Sequence, residues 1–193
     1  IITIIVIIMF FMGIKHILKK DKNDINNFTE ISYFTAYNNG KWGVINSNGD
    51  SIIEPAYDEM IVIPNSKKDV FLCMYDVNYS DGTYKTKAIN SKNEQLFTSY
   101  TSVEPLSNYN SNKETWYETT ALKVQKDGKY GLINIDGNEI LSCIYDKVDT
   151  IKGIKNSILI QKDGLYGVVN ATGNIIIEPQ YSDIQGLTDE YTN

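Results

Sequence analysis

The sequence of 193 residues contains no arginine and a single histidine, His16. Without arginine there is no planar fork for bidentate phosphate contacts, and the counterion release that drives nucleic-acid binding has only lysines to draw on. Those lysines are outnumbered. Residues 1–30 hold four lysines against three acids, but the remainder holds fourteen lysines against twenty-one acids, a net charge of −7. Nucleic acid is therefore not an expected partner. A body without histidine also excludes Ser-His-Asp and Cys-His arrangements for nucleophilic catalysis. Cys73 and Cys143 are the only cysteines, too few for the disulfide framework of a secreted domain. With only His16 to assist, they are also too few for a zinc site. They read as small buried hydrophobes, and neither metal nor cofactor is expected. What the chain has in quantity is tyrosine, fourteen copies, together with Ile, Val, Thr and Asn, a balance that favours strands and turns over helices.

The one long hydrophobic run opens the chain, with "IITIIVIIMFFMGI" followed by "KHILKKDK". Fourteen residues fall short of the roughly 20 that span a bilayer and match a signal-peptide core. A chain that opens on Ile is expected to have lost its start. A few more residues, with Lys15 snorkelling, would complete a span. Residues 1–20 are thus open to three readings: an uncleaved transmembrane anchor, a signal-peptide remnant, or a buried core helix. No Ala-x-Ala-like cleavage site follows. The body is expected to be membrane-anchored or exported and extracytoplasmic. The downstream lysines keep a cytoplasmic face open as the alternative. His16 reads as an interfacial residue beside the membrane, and residues 21–33 as a linker.

Beyond that linker one frame recurs. Trp42, Tyr130 and Tyr166 are each followed by a glycine, Gly43, Gly131 or Gly167; three residues later comes Asn46, Asn134 or Asn170. Three more bring Gly49, Gly137 or Gly173, and eight beyond stands Tyr57, Tyr145 or Tyr181. An apolar residue, Met60, Val148 or Ile184, closes the frame. A weaker copy keeps Asn90, puts Asn93 at the turn, retains Tyr100 and Val103 after a one-residue deletion and has Lys87 where the first glycine belongs. The first glycines are therefore spaced by 44, 44 and 36 residues, counting Lys87 in their place. Periods of this size mark arrays whose units cannot bury an apolar face alone, so adjacent units must complete the core.

Within a unit the spacing predicts short antiparallel strands. "ALKVQ" or "SILIQ" leads through a tight "KDG" turn into "YGLIN" or "YGVVN". A second turn at Asn48-Gly49, Asp136-Gly137 or Thr172-Gly173 reads as a two-residue hairpin. Pro55 and Pro179 are expected to end the following strand. A final extended piece carries Met60, Val148 or Ile184. The glycine after the aromatic implies a close approach, for which the recurring tyrosine is the candidate. Lys87 would block it.

The pattern G-K-W-G-x-I-N-x-x-G-x-x-I-x-P-x-Y-D-x-I resembles the WG repeat, also called the KWG repeat, of bacterial proteins that are often secreted or membrane-attached. The resemblance covers residues 34–193 in units of about 34–64, 70–106, 120–150 and 157–187, the second degenerate. It implies an all-β repeat array. Four short strands per unit suit a propeller-like array, but four units make a small ring and their spacing is uneven. The expected fold is therefore tandem antiparallel hairpin repeats in an open twisted stack, with the apolar leader as an N-terminal helix. The resemblance also implies an interaction module and is silent on ligand. The chain stops at "LTDEYTN", where a further unit could begin, so the array is expected to be a fragment.

The carboxylates Asp58, Glu59, Glu139 and Asp146 could in principle be paired for glycoside chemistry, but they fall at turn and strand-end positions of the frame. No enzyme is expected. The remaining feature is aromatic: Tyr37, Tyr75, Tyr79, Tyr84, Tyr109, Trp116 and Tyr117 fall outside the frame positions and as a group mark the expected binding face. "SNYNSNKETWYETT" places Tyr109, Trp116 and Tyr117 among Asn and Ser, which suits protein contact or sugar stacking. The leading expectation is a non-enzymatic binding module that presents its loops to a protein partner. The alternative is cell-wall glycan binding through exposed aromatics, and a carboxylate-based glycoside hydrolase is the remote third.

Overall fold

The computed structural model describes residues 33–110 and 112–186. The apolar leader, with the helix expected there, lies outside these residues, as does most of the linker. Among the described residues the fold is all-β, in four antiparallel sheets. Sheet 1 comprises β1 (Tyr33–Asn38), β2 (Lys41–Asn46) and β3 (Ser51–Tyr57). Sheet 2 comprises β4 (Phe71–Asn78), β5 (Thr83–Ile89) and β6 (Gln95–Leu96). Sheet 3 runs through β7 (Ser102–Tyr109), β8 (Thr115–Lys126), β9 (Lys129–Asn134) and β10 (Glu139–Tyr145). Sheet 4 runs through β11 (Lys147–Thr150), β12 (Ile158–Lys162), β13 (Leu165–Val169) and β14 (Ile175–Tyr181).

Each unit completes its core with the next. One cluster joins Val44, Ile53 and Tyr57 of sheet 1 to Phe71, Cys73 and Ile89 of sheet 2. A second joins Leu72 and Ala88 of sheet 2 to Val103, Leu122, Val124 and Ile133 of sheet 3. A third joins Leu141 and Tyr145 of sheet 3 to Val148, Ile158, Ile160 and Val169 of sheet 4. Their burial in pairs of sheets follows from strands that are apolar on both faces, which one sheet cannot cover by itself.

The sheets are also interlocked, because the extended piece that closes one frame pairs into the next sheet. Val148 lies in β11 opposite Ile160 of β12, Val103 lies in β7 opposite Val124 of β8, and Val62 bridges Leu72. The sheet boundaries are therefore offset from the sequence units.

Two kinds of turn recur. The first, at the tight turns Asn39-Gly40, Asp127-Gly128 and Asp163-Gly164, is a two-residue hairpin in which both residues of each pair have positive φ. The second differs from expectation. At Gly49, Gly137 and Gly173 only the glycine has positive φ, and the loop has three residues closed by the frame asparagine. Asn46 Oδ1 accepts from the amides of Asn48 and Asp50, both at 2.9 Å, while its carbonyl accepts from Gly49 N at 3.0 Å. Asn134 and Asn170 repeat the pattern, and Asn90 repeats it with Asn93 (φ 61) in place of glycine. This is a type I turn followed by a left-handed residue, stabilised by a side chain acting as an extra acceptor.

The glycine after the aromatic also departs from expectation. What approaches it is backbone, not the recurring tyrosine. A Cβ on Gly43, Gly131 or Gly167 would stand 2.4, 2.4 or 2.5 Å from the carbonyl oxygen of Ile53, Leu141 or Ile177. The cause is a bulge. Trp42 pairs with Tyr57 and Val44 with Ile53, so the third strand carries extra residues opposite Gly43 and folds them across it. The same shift separates Tyr130↔Tyr145 from Leu132↔Leu141, and Tyr166↔Tyr181 from Val168↔Ile177. Pro55 and Pro179 sit in these bulges rather than ending the strands, which run on to Tyr57 and Tyr181. A bulge is where a ladder donor can be dispensed with.

Candidate functional site

The bulged third strand aligns the charged residues of the frame. Lys41, just before Trp42, pairs with Asp58, just after Tyr57; Lys129 pairs with Asp146 in the same way. Asp146 also accepts from the amide of Asp163 at 2.8 Å. The Lys129 hydrogen bond, then the Asp163 amide, holds the Asp146 carboxyl below its ordinary range. Glu139 accepts from Ser142 Oγ at 2.6 Å, and Glu59 accepts from the Tyr79 hydroxyl at 2.8 Å. All four acids considered for hydrolytic chemistry thus brace turns or strand ends.

The aromatic trio lies on one long hairpin. β8 is the longest strand, and its first half, residues 115–120, runs beyond the core as exposed or half-buried chain. Tyr109 is exposed, whereas Trp116 and Tyr117 are half-buried. Tyr109 pairs with Thr115 and Ser107 with Tyr117, so the two tyrosines are diagonal neighbours on one face; Trp116, opposite Asn108, is on the other. Lys152 stands over the Tyr109 ring at 5.0 Å and Lys155 over Trp116 at 5.5 Å. The Trp116 indole N–H is buried without a hydrogen-bond partner among the described residues.

The hairpin is seated by Asn108, a buried side chain with every polar atom engaged. Its amide donates to the carbonyls of Ile151 and Ile154 at 2.8 and 3.0 Å, and its oxygen accepts from Gly153 N at 3.0 Å and Tyr109 N at 2.8 Å. Thr150 Oγ1 donates to the Ser107 carbonyl, and Glu118 accepts from Asn156 N. At the tip, Asn110 accepts from Glu114 N at 3.0 Å while Lys113 takes a positive φ of 63°. That is the frame turn again, outside the frame, and its sequence signal is an asparagine with a carboxylate four residues on, as in Asn46/Asp50 and Asn90/Glu94.

A second surface gathers two of the tyrosines outside the frame with one inside it, a grouping the sequence did not reveal. Where sheets 2 and 3 meet lies an open cleft of about 300 Å³, lined by Tyr75, Tyr84, Thr86, Ser102, Gln125 and Tyr130. Tyr75 and Tyr84 stand outside the repeating frame, and Tyr130 is its aromatic position in the third unit. No spacing rule connects them. Burial elsewhere has ordinary consequences. Cys73 is free and buried among sheets 1 and 2, its thiol pushed up to about 11 by desolvation, and Cys143 is free and partly buried.

The family model of the WG containing repeat matches residues 42–65, 130–166 and 166–192. The chain therefore carries WG repeats, in the first, third and fourth units of the frame. The degenerate second unit falls between the matched segments. Comparison with curated proteins returns no match, nor does comparison with solved structures.

Proposed function

We propose that the chain is a non-enzymatic binding module, an open stack of WG-repeat sheets that presents its hairpins to a protein partner. In this reading it is membrane-tethered or exported through its apolar leader, with the body outside the cytoplasm. The observation that carries it is the division of labour among the side chains. The charged groups of the frame are spent on turns and ion pairs within the sheets, as at Lys41–Asp58 and Lys129–Asp146. By contrast, large rings stand out at hairpins and rims: Tyr37, Tyr79 and Tyr109 are among the exposed hydrophobics. Rigid rings with little rotamer entropy to lose, beside adaptable polar groups, are what protein recognition surfaces use.

The open stack is supported by the two end faces. Tyr57 and Tyr145 are 9% and 5% exposed beneath the following sheet, whereas Tyr181 at the same frame position is 51% exposed. At the other end Phe34, equivalent to the fully buried Ile158, is 43% exposed. A closed ring of four sheets would cover both.

The test is site-specific photocrosslinking in envelope extracts of the source cell. A crosslinker at Lys113, on the tip of the long hairpin, is expected to give a discrete protein adduct that one at Asp183 does not. Nothing above background at either position would remove the reading.

A further inference from the structure

The second repeat lacks part of its third strand, and the place left open is the cleft. In sheet 1, Trp42 pairs with Tyr57 across the bulge; in sheet 2 the equivalent of Trp42 is Thr86, and β6 ends at Leu96 opposite Ala88. Lys87 stands at the glycine position; at the equivalent Gly43 a Cβ would lie 2.4 Å from the Ile53 carbonyl, so by analogy a side chain obstructs the third strand. The strand of sheet 2 that would have crossed never forms. Thr83–Thr86 is consequently paired along β4 only, and the cleft opens beside it.

We propose that this cleft binds an uncharged carbohydrate of one or two rings. Tyr75, Tyr84 and Tyr130 line the cleft together with the hydroxyl and amide groups of Thr86, Ser102 and Gln125. Tyr75 and Tyr130 also pack against the clusters of sheets 1–2 and 3–4, and Tyr84 is the exposed ring. A sugar ring has the matching character, an apolar C–H face for an aromatic wall and a polar rim for hydroxyls and amides. The size agrees. About 300 Å³ lies at the low end of ligand pockets, which run from about 300 to 1,000 Å³, so a short saccharide fits better than a long one.

The two ions of the lining do not single out an anionic ligand. Lys85 is paired with Asp76 at 2.7 Å and Glu104 with Lys123 at 2.6 Å, so both ions of the lining already have partners and leave no surplus charge for a phosphate or carboxylate. Two of the rings are engaged by lysines. Lys87 lies over Tyr75 at 5.0 Å and Lys123 over Tyr130 at 5.6 Å. Tyr84, 48% exposed, makes no hydrogen bond, ion pair or ring contact among the described residues, which leaves it available for stacking.

This proposal does not depend on a protein partner and is tested separately. The purified 193-residue chain would be titrated with N,N′-diacetylchitobiose, cellobiose and lactose by calorimetry, with amide chemical shifts followed in parallel. At least one saccharide is expected to bind and to move the Thr86, Ser102 and Gln125 resonances. Tyr84→Ala should weaken that binding about tenfold, Tyr84→Phe should keep it, and Trp116→Ala should leave it unchanged. Unchanged circular dichroism guards against unfolding. Three results would overturn the cleft: no binding by any of the three sugars, loss with Trp116→Ala but not Tyr84→Ala, or tighter binding of glucose 6-phosphate than of the neutral sugars. Loss of the hairpin-tip crosslink with saccharide binding intact would instead count against the protein-partner reading alone.

Discussion

Sheets 2 and 3 are consecutive copies of one frame and finish differently. In sheet 3 the glycine position holds Gly131, the backbone of 141–143 folds across it, and the ladder resumes at Tyr130↔Tyr145. That resumption delivers Tyr145 to the core shared with sheet 4 and Asp146 to Lys129. In sheet 2 the same position holds Lys87. The third strand stops after two residues, and Phe97 turns away with a φ of 54°. Tyr100, the counterpart of Tyr145, still packs against the cluster joining sheets 2 and 3, but without a strand to hold it. Lys85, the counterpart of Lys129, finds Thr101 where its acid should be and pairs with Asp76 instead. Where the glycine position carries a side chain the strand does not cross its sheet, and different residues reach the next.

The comparison can be broken at the tyrosine and at the glycine. Tyr145→Ala removes a ring that is 5% exposed and should cost about 4 kcal/mol, whereas Tyr181→Ala, at the same frame position on the open end, should stay within about 0.5 kcal/mol. Urea unfolding of the two variants checks this, and equal losses would mean that Tyr181 is covered in solution. Gly131→Ala should follow at about 3 kcal/mol. Its Cβ would meet three backbone atoms of residues 141–143 at 2.4 to 2.8 Å, none of which is the free end of a side chain. Lys87→Ala, by contrast, loses only ring contacts with Tyr57 and Tyr75 and should cost about 1 kcal/mol or less. A Gly131→Ala protein as stable as the parent would show that the bulge does not need the glycine.

Much of this architecture was legible because it is periodic. The recurrence of aromatic, Gly, Asn, Gly and Tyr located the units and their turns, although the two-residue form expected at 48–49, 136–137 and 172–173 belongs to the turns at 39–40, 127–128 and 163–164. The shared cores followed from strands too apolar to stand alone. What spacing could not reveal was pairing. The transfer of Val103 and Val148 into the following sheet leaves no mark on the frame, since a residue's distance along the chain is the same whichever sheet it joins. The bulge is likewise invisible: glycine signals that something comes close, but only the register shows that it is backbone. As for the sites, the Tyr109–Trp116–Tyr117 hairpin stood out by composition, yet adjacent residues in a strand face opposite ways, so Trp116 and Tyr117 do not form one platform. The cleft was hidden for a different reason. It arises from a strand that one repeat lacks, and its lining comes from two units.

The smallest expected effect concerns the ion pair that the bulge makes possible. Asp146 accepts from Lys129 and from the Asp163 amide, and both favour the ionised carboxylate, so its folded pKa lies below the ordinary value of 3.8. A depressed folded pKa contributes stability that is present above the unfolded pKa and is lost as pH falls through the folded one. Asp146→Asn lacks that contribution at every pH. The parent should therefore be slightly more stable than the variant at neutral pH, and the gap should close on acidification below about 3.8. Because the pair is exposed, added salt should narrow the gap as well. Thr101, the counterpart of Asp146 in the second repeat, has no charge to lose, so Thr101→Asn should give no such acid-dependent difference. Parallel urea titrations of both variants at neutral and acidic pH measure the contrast, and a gap for Asp146→Asn that persists far below the carboxylate range would show that its hydrogen bonds matter for geometry and not for charge.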